Sequence, residues 1–305
     1  MSNDTIDFQE TVTLSREGKS REGKPFEALE ENGIPKALRG AQAYANKDGF
    51  VFTAPNLVEQ RIKHSDLEHP FWKGYTLLTE ETRIEGYDLI VHGGYVLNTP
   101  KRIEQALTHP KGLVNGAGRL TDEEVSRLVL AVKQGHIDNK ITLFPFAKFK
   151  DFNQEDIIKL QRVAYGIVLT ESESQALSSN KHPLDNLIEN PLFMSRAGGR
   201  EQSKSYVNTL RGLGANKYGN WYISDRDTSN LLVVDGDFDL GFGGLIHLDD
   251  LARFFGVSSD AEGDSKKIPP TLDERVDLLN AAGINIEELR KALDLYRSAN
   301  SILKI

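Results

Sequence analysis

Between Ser195 and Tyr218 the chain carries Arg196, Arg200, Lys204, Arg211 and Lys217 against the single acid Glu201. Ala197-Gly198-Gly199 stands just before a run from Ser203 to Leu210 with helical spacing. Glycines that open a helix leave backbone N–H groups at its positive end, which suits a phosphate or carboxylate, and arginine can grip the same anion through two parallel hydrogen bonds. Arg196, Gly198, Gly199, Arg200 and Lys204 are therefore the candidate anion-binding set. No Gly-Lys-Ser/Thr closes the loop, so it is not a P-loop, and its glycine spacing is not that of a dinucleotide site. The plainer alternative is a basic loop that complements an acidic surface of this chain or of a neighbouring subunit.

A few residues on, Asp225, Asp227, Asp235, Asp237 and Asp239 crowd one expected hairpin. Acids two apart on a strand share a face, as a divalent cation requires, so Asp235, Asp237 and Asp239 are the candidate metal ligands, with Mg²⁺ as the cofactor. Joined to the basic loop they would support metal-assisted attack of water on a phosphate. Asp235-Gly236 and Asp225-Arg226-Asp227 are also what tight turns need for their own sake. No closing glutamate completes an EF-hand. Under this plainer reading the chain has no cofactor.

Other candidates fall away. Gly112 to Gly118 resembles a nucleotide loop, but Asp122, Glu123 and Glu124 in the next helical turn would repel a phosphate. Among the histidines the close pair is His64 with His69; His64 and His109 each follow a helical run, where a histidine serves as a C-terminal cap. There is no serine nucleophile elbow. Leu248 to Val257 sounds like the first half of a helix-turn-helix whose second half would fall in a linker.

These residues must be positioned by a chain with an internal repeat. Residues 49–65 return as 94–110 at a constant offset of 45: Gly49, Val51, Pro55, Glu59, Gln60 and His64 match Gly94, Val96, Pro100, Glu104, Gln105 and His109. Each copy reads as a short strand, a proline turn and a helix, one supersecondary unit used twice. Thr121-Asp-Glu-Glu124 is a capping box before Val125, Leu128 and Val132, and Gly135 stands where that helix ends. Ile141 to Phe144 reads as a buried strand, Asn153 as the cap of a helix, and 171–190 as a loop. Trp221-Tyr-Ile223 and Leu231 to Val234, with Asp235-Gly236 as a turn, suggest a β-meander, followed by a helix from His247 to Phe255.

The expected fold class is α+β or mixed α/β, with the duplicated strand-turn-helix unit near the N-terminus, a β-meander in the C-terminal half and a terminal helical hairpin. The expected organisation is an extended arm over 1–30, where Ser15 to Lys19 is repeated as Ser20 to Lys24, and an α/β lobe over 31–170. A loop-rich lobe follows over 171–257, then a linker over 258–270 and a helical hairpin over 271–305.

Composition narrows the function classes. In 305 residues, 39% hydrophobic and 27% charged, there is no long apolar run, and the polar, acidic start lacks the features of a secretion signal. The expectation is a protein with no membrane contact, cytoplasmic or carried in a virion. The absence of cysteine excludes disulfides and thiolate metal sites. A net charge of −8 confines any contact with nucleic acid to the local basic loop. The favoured reading is a non-enzymatic structural or protein-protein interaction subunit of a larger assembly, of the kind a virion contains. Its partners would be further copies of itself or other protein subunits. The alternative is a metal-dependent enzyme or binder acting on nucleic acid or a phosphorylated substrate through 196–217 and 225–239. The motifs leave open whether the chain is an enzyme.

Overall fold

The computed structural model describes residues 14–15, 26–45, 49–160, 163–175, 180–221, 225–239, 241–243, 248 and 251–257. All of them belong to one compact unit. The Ser20–Lys24 copy of the short duplication, the linker over 258–270 and the helical hairpin over 271–305 lie outside the described residues.

The unit is mixed helix and sheet, an α+β fold. Its larger sheet has eight strands in the order Leu113–Val114, Ala117–Arg119, Thr228–Val234, Tyr75–Ile84, Tyr87–His92, Tyr165–Thr170, Ile141–Pro145 and His136–Ile137. The pairings are antiparallel except that Tyr165–Thr170 runs parallel to Ile141–Pro145. A smaller sheet places Phe26–Asn32 between Leu14–Ser15 and Leu251–Val257, with Phe50–Val51 at the far side. The chain has thus entered a sheet by Phe26, within the stretch expected to be an arm.

Strand Tyr75–Ile84 is the hinge of the architecture, and every residue in it is buried. Its pairing with Thr228–Val234 is interrupted between Leu231 and Val233. In the gap Leu78 turns its backbone to other partners: its N–H donates to Phe52 O at 2.8 Å and its carbonyl accepts from Gly93 N–H at 2.9 Å. The bulge therefore ties the large sheet to the first repeat copy.

The two copies share their helix and differ in their entry. Ala54–Lys63 is preceded by Thr53, and Pro100–Thr108 is capped by Thr99, whose hydroxyl accepts from Arg102 N–H. His64 and His109 sit at the C-caps, their N–H groups donating to Gln60 O and Gln105 O. Phe50–Val51 is a strand, whereas Tyr95 to Asn98 is bent backbone and no strand, because its N–H groups are drawn to a side chain, as described below. Gly49 and Gly94 recur for lack of room: a Cβ at Gly49 would lie 2.0 Å from Val257 O, and one at Gly94 2.9 Å from the Ala164 methyl. The helices bury matching faces in different cores. Leu57 and Val58 pack with Phe71, Phe193, Tyr206 and Phe255, while Ile103 packs with Ile34, Leu38 and Phe254. The matched acids part company too, since Glu59 pairs with Lys63 and Glu104 with Arg39.

Helix Asp122–Gln134 forms as its capping box and Gly135 require, and it covers a third core with Leu128 and Ala131. Asn153 caps Gln154–Leu160 through its side-chain oxygen. Two local readings are corrected. The region 171–190 holds helix Glu171–Gln175, strand Asn180–Pro183 and helix Leu184–Leu187. Leu251–Val257 is a strand rather than part of a helix: Phe254 enters one core and Phe255 another, so both faces are apolar and the period-two signal is erased. Past Asp235-Gly236 the chain folds back, and Phe242 bridges Val234 antiparallel and Asn220 parallel.

Candidate functional site

Tyr-Thr-Leu-Leu-Thr-Glu-Glu-Thr-Arg-Ile, the strand Tyr75–Ile84, is wholly buried although six of its ten residues are Thr, Glu or Arg, and all of these except Thr76 find hydrogen-bond partners inside. Alternation sends Glu80 and Thr82 to one face and Thr79, Glu81 and Arg83 to the other. Each secures a different segment.

Glu80 is met by three consecutive backbone N–H groups: Val96 at 3.0 Å, Leu97 at 2.9 Å and Asn98 at 3.1 Å. Ser229 adds its hydroxyl at 3.0 Å, and Ser229 in turn accepts from Asn98 Nδ2 at 2.8 Å. Burial pushes the Glu80 carboxyl above its ordinary range, and the three N–H groups oppose that rise. This is why the second repeat copy bends where the first is a strand. The first copy docks on the neighbouring residue of the same strand, Ala54 N–H donating to Thr79 Oγ1 at 2.9 Å. Thr79 Oγ1 also lies 3.0 Å from His92 Nδ1, and His92 Nε2 lies 2.9 Å from the Ser195 carbonyl. Burial lowers the His92 pKa to about 4, so the ring is neutral at physiological pH.

Glu81 receives Arg196 side-on, Nε at 2.6 Å and Nη2 at 2.7 Å, while Arg196 Nη1 donates to Asn220 Oδ1 at 2.8 Å. Asn220 Nδ2 then reaches Asn190 Oδ1, the acceptor that caps Pro191–Ala197. Arg83 donates to Glu171 at 2.7 Å and stands 4.0 Å from Asp88. Glu171 also takes Arg226 at 3.3 Å, and Ser174 donates to Asp88. Burial raises the Asp88 carboxyl from 3.8 to about 6, against the pull of Ser174 and Arg83. Glu81, Arg83, Asp88, Leu192 and Arg196 line a small pocket here, with room for about one water molecule.

No family model matches the chain. No curated protein matches it. Among solved structures, one described as "Accommodation of massive sequence variation in Nanoarchaeota by the C-type lectin fold" superposes with a TM-score of 0.55 at 21% identity, covering 78% of this chain and 100% of that one. The fold is similar to the C-type lectin fold. In this C-type-lectin-like frame, the polar strand Tyr75–Ile84 fastens the segments at 54, 96–98, 171–175 and 196 to one another.

Against that frame the anion-binding set divides. Arg196 is fully buried on Glu81. Gly198 and Gly199 have φ of 96° and 111° and form the joint between Pro191–Ala197 and Arg200–Gly212. Arg200 pairs at the surface with Glu189 at 3.0 Å, and Lys204 is exposed on the helix. The structure thus places the set's three cations in two environments, one inside and two outside. In the acidic turn, Asp237 N–H donates to Asp235 Oδ1 and Asp239 N–H to Asp237 Oδ1, both at 2.8 Å, and Asp239 pairs with Lys181. Among the described residues no group of three acids or histidines is placed to hold a metal ion. Gly243, beyond that turn, lies against the Arg196 guanidinium, where an added Cβ would come within 3.3 Å. Among the described residues no helix is long and apolar enough to cross a membrane.

Sequence reasoning passed over Glu80, Glu81, Arg83, Asp88 and Arg61. Arg61 is fully buried over the Trp72 ring and donates to the carbonyls of Phe71, Lys73 and Asp235 at 2.8, 2.9 and 3.0 Å. The one available signal was Thr79-Glu-Glu-Thr-Arg83 set between apolar residues, a pattern equally at home on a solvated edge.

Proposed function

We propose that this chain is a non-enzymatic protein-recognition subunit, in which a C-type-lectin-like frame holds surface loops in place for contact with protein partners or further copies of itself. The observation that supports this reading is where the ionisable side chains are used. Glu80, Glu81, Arg83 and Arg196 each fasten a loop or helix to the central strand, so the interior charge serves positioning. The structural neighbour is described as accommodating massive sequence variation, and a frame fastened from within is suited to that. On this reading, Asp225, Arg226, Asp237 and Asp239 lie on loops whose residues can change while the frame stands.

Light scattering on the purified chain, with and without Mg²⁺ and a short DNA, tests the proposal. A discrete assembly, or a stoichiometric complex with a defined protein partner, indifferent to both additions, is the expected result. A monomer that gains mass with DNA, and more so with Mg²⁺, would replace it with the metal-dependent alternative.

A further inference from the structure

The histidine pair found in the sequence is a physical pair. The rings of His64 and His69 stack with centroids 4.3 Å apart and planes 14° from parallel, and the Phe71 ring lies 4.8 Å from His69. His69 caps the short helix Pro70–Trp72, its Nδ1 accepting from Phe71 N–H at 3.3 Å. A backbone N–H can only donate, so Nδ1 must carry a lone pair, and the ring must be neutral in the closed arrangement. The other histidine holds the same turn through its backbone: the His64 carbonyl accepts from Trp72 Nε1 at 2.7 Å.

We propose that the segment His64 to Pro70 is a proton-operated latch, closed while His69 is neutral and released when Nδ1 takes up a proton. Protonation turns the acceptor of the Phe71 N–H into a donor and places positive charge against the stacked His64 ring. Within the turn the facing charge is Asp66, whose carboxylate accepts from Glu68 N–H; helix Ala54–Lys63 carries Lys63, paired with Glu59, and Arg61, whose guanidinium is bonded to the Phe71 and Lys73 carbonyls. Phe255, the contact of Phe71 from strand Leu251–Val257, is uncharged. Partial burial and His64 lower the proton affinity of His69 below its ordinary 6.5, and Asp66 opposes them. The sign follows: the open form, titrating near about 6.5, takes the proton first, so closure is complete above that pH and weakens as pH falls below it. Arg61 limits the opening, because it holds the carbonyls of Phe71 and Lys73 independently of either histidine.

The test is hydrogen exchange at Phe71 N–H and Trp72 Nε1–H by NMR between pH 7.5 and pH 5.0, corrected for intrinsic rates. Wild type should lose at least about threefold in protection. His69→Asn should lose none, since asparagine is a good N-cap acceptor that does not titrate. Constant protection in wild type, or an equal loss in His69→Asn, overturns the latch. In His64→Gln the NMR-detected midpoint of His69 should move up toward 6.5, and an unmoved midpoint overturns the coupling between the rings.

Discussion

Removing the Arg196 guanidinium isolates a carboxylate inside the protein. Arg196→Met keeps much of the volume but leaves Glu81, 5% exposed, without its charge-assisted hydrogen bonds of 2.6 and 2.7 Å, and takes a donor from Asn220 Oδ1. Breaking one member of such a buried pair costs about 3–5 kcal/mol, a large share of a total on the order of 5–15 kcal/mol. Glu81→Gln should cost a comparable amount, because the cation then faces a neutral amide. The double variant Glu81→Gln with Arg196→Met removes both charges, so it should recover at least about 2 kcal/mol of the two separate losses. Urea unfolding followed by tryptophan fluorescence gives all three values, provided the slopes agree. If Arg196→Met costs less than about 1 kcal/mol, the range of an exposed pair, the residue is no internal strut. A loss of inorganic phosphate binding in that variant would then make Arg196 an anion ligand after all.

Three further outcomes are expected. Asp88 holds its proton up to about 6 in the fold against 3.8 in an ordinary carboxyl, so stability should fall as pH rises from about 4 to about 6 and level off above, by up to about 3 kcal/mol; the urea midpoint of Asp88→Asn should lack that slope. Glu80→Ala leaves the N–H groups of half-buried Val96 and of buried Leu97 and Asn98 without their acceptor and should cost at least about 3 kcal/mol, with faster amide exchange confined first to those residues. Gly198→Ala puts a Cβ 2.8 Å from Pro55 Cβ at a φ of 96° and should cost about 2 kcal/mol. Gly212→Ala, with nothing within 4 Å, should instead stabilise by about 0.5 kcal/mol in the same urea unfolding.

What the sequence disclosed was local. Thr121 with Glu124 and Gly135 encode both ends of one helix within a few residues, and the structure has that helix. Asn153, His64 and His109 are equally local signals, each acting on its own helix end. Long-range pairing was not legible. Phe254 and Phe255 point into opposite cores, so their strand carries no alternation, and its partner at Phe26–Asn32 is far away in sequence. The central strand was hidden for the opposite reason: Glu80, Glu81 and Arg83 look solvated until Val96 to Asn98, Arg196 and Glu171 are brought to them. Arg196 was noticed for its charge, but nothing adjacent announces that its counter-ion lies 115 residues earlier.

The antiparallel pairing of Phe26–Asn32 with Leu251–Val257 brings Phe26 opposite Val257, so two points about 230 residues apart in the chain meet at one corner of this unit. Tension applied through those two points would load the pair as a zipper, one hydrogen bond at a time, rather than in shear across the whole ladder. The frame would then yield to a gentle pull along its own chain before its buried charge pairs bore any load.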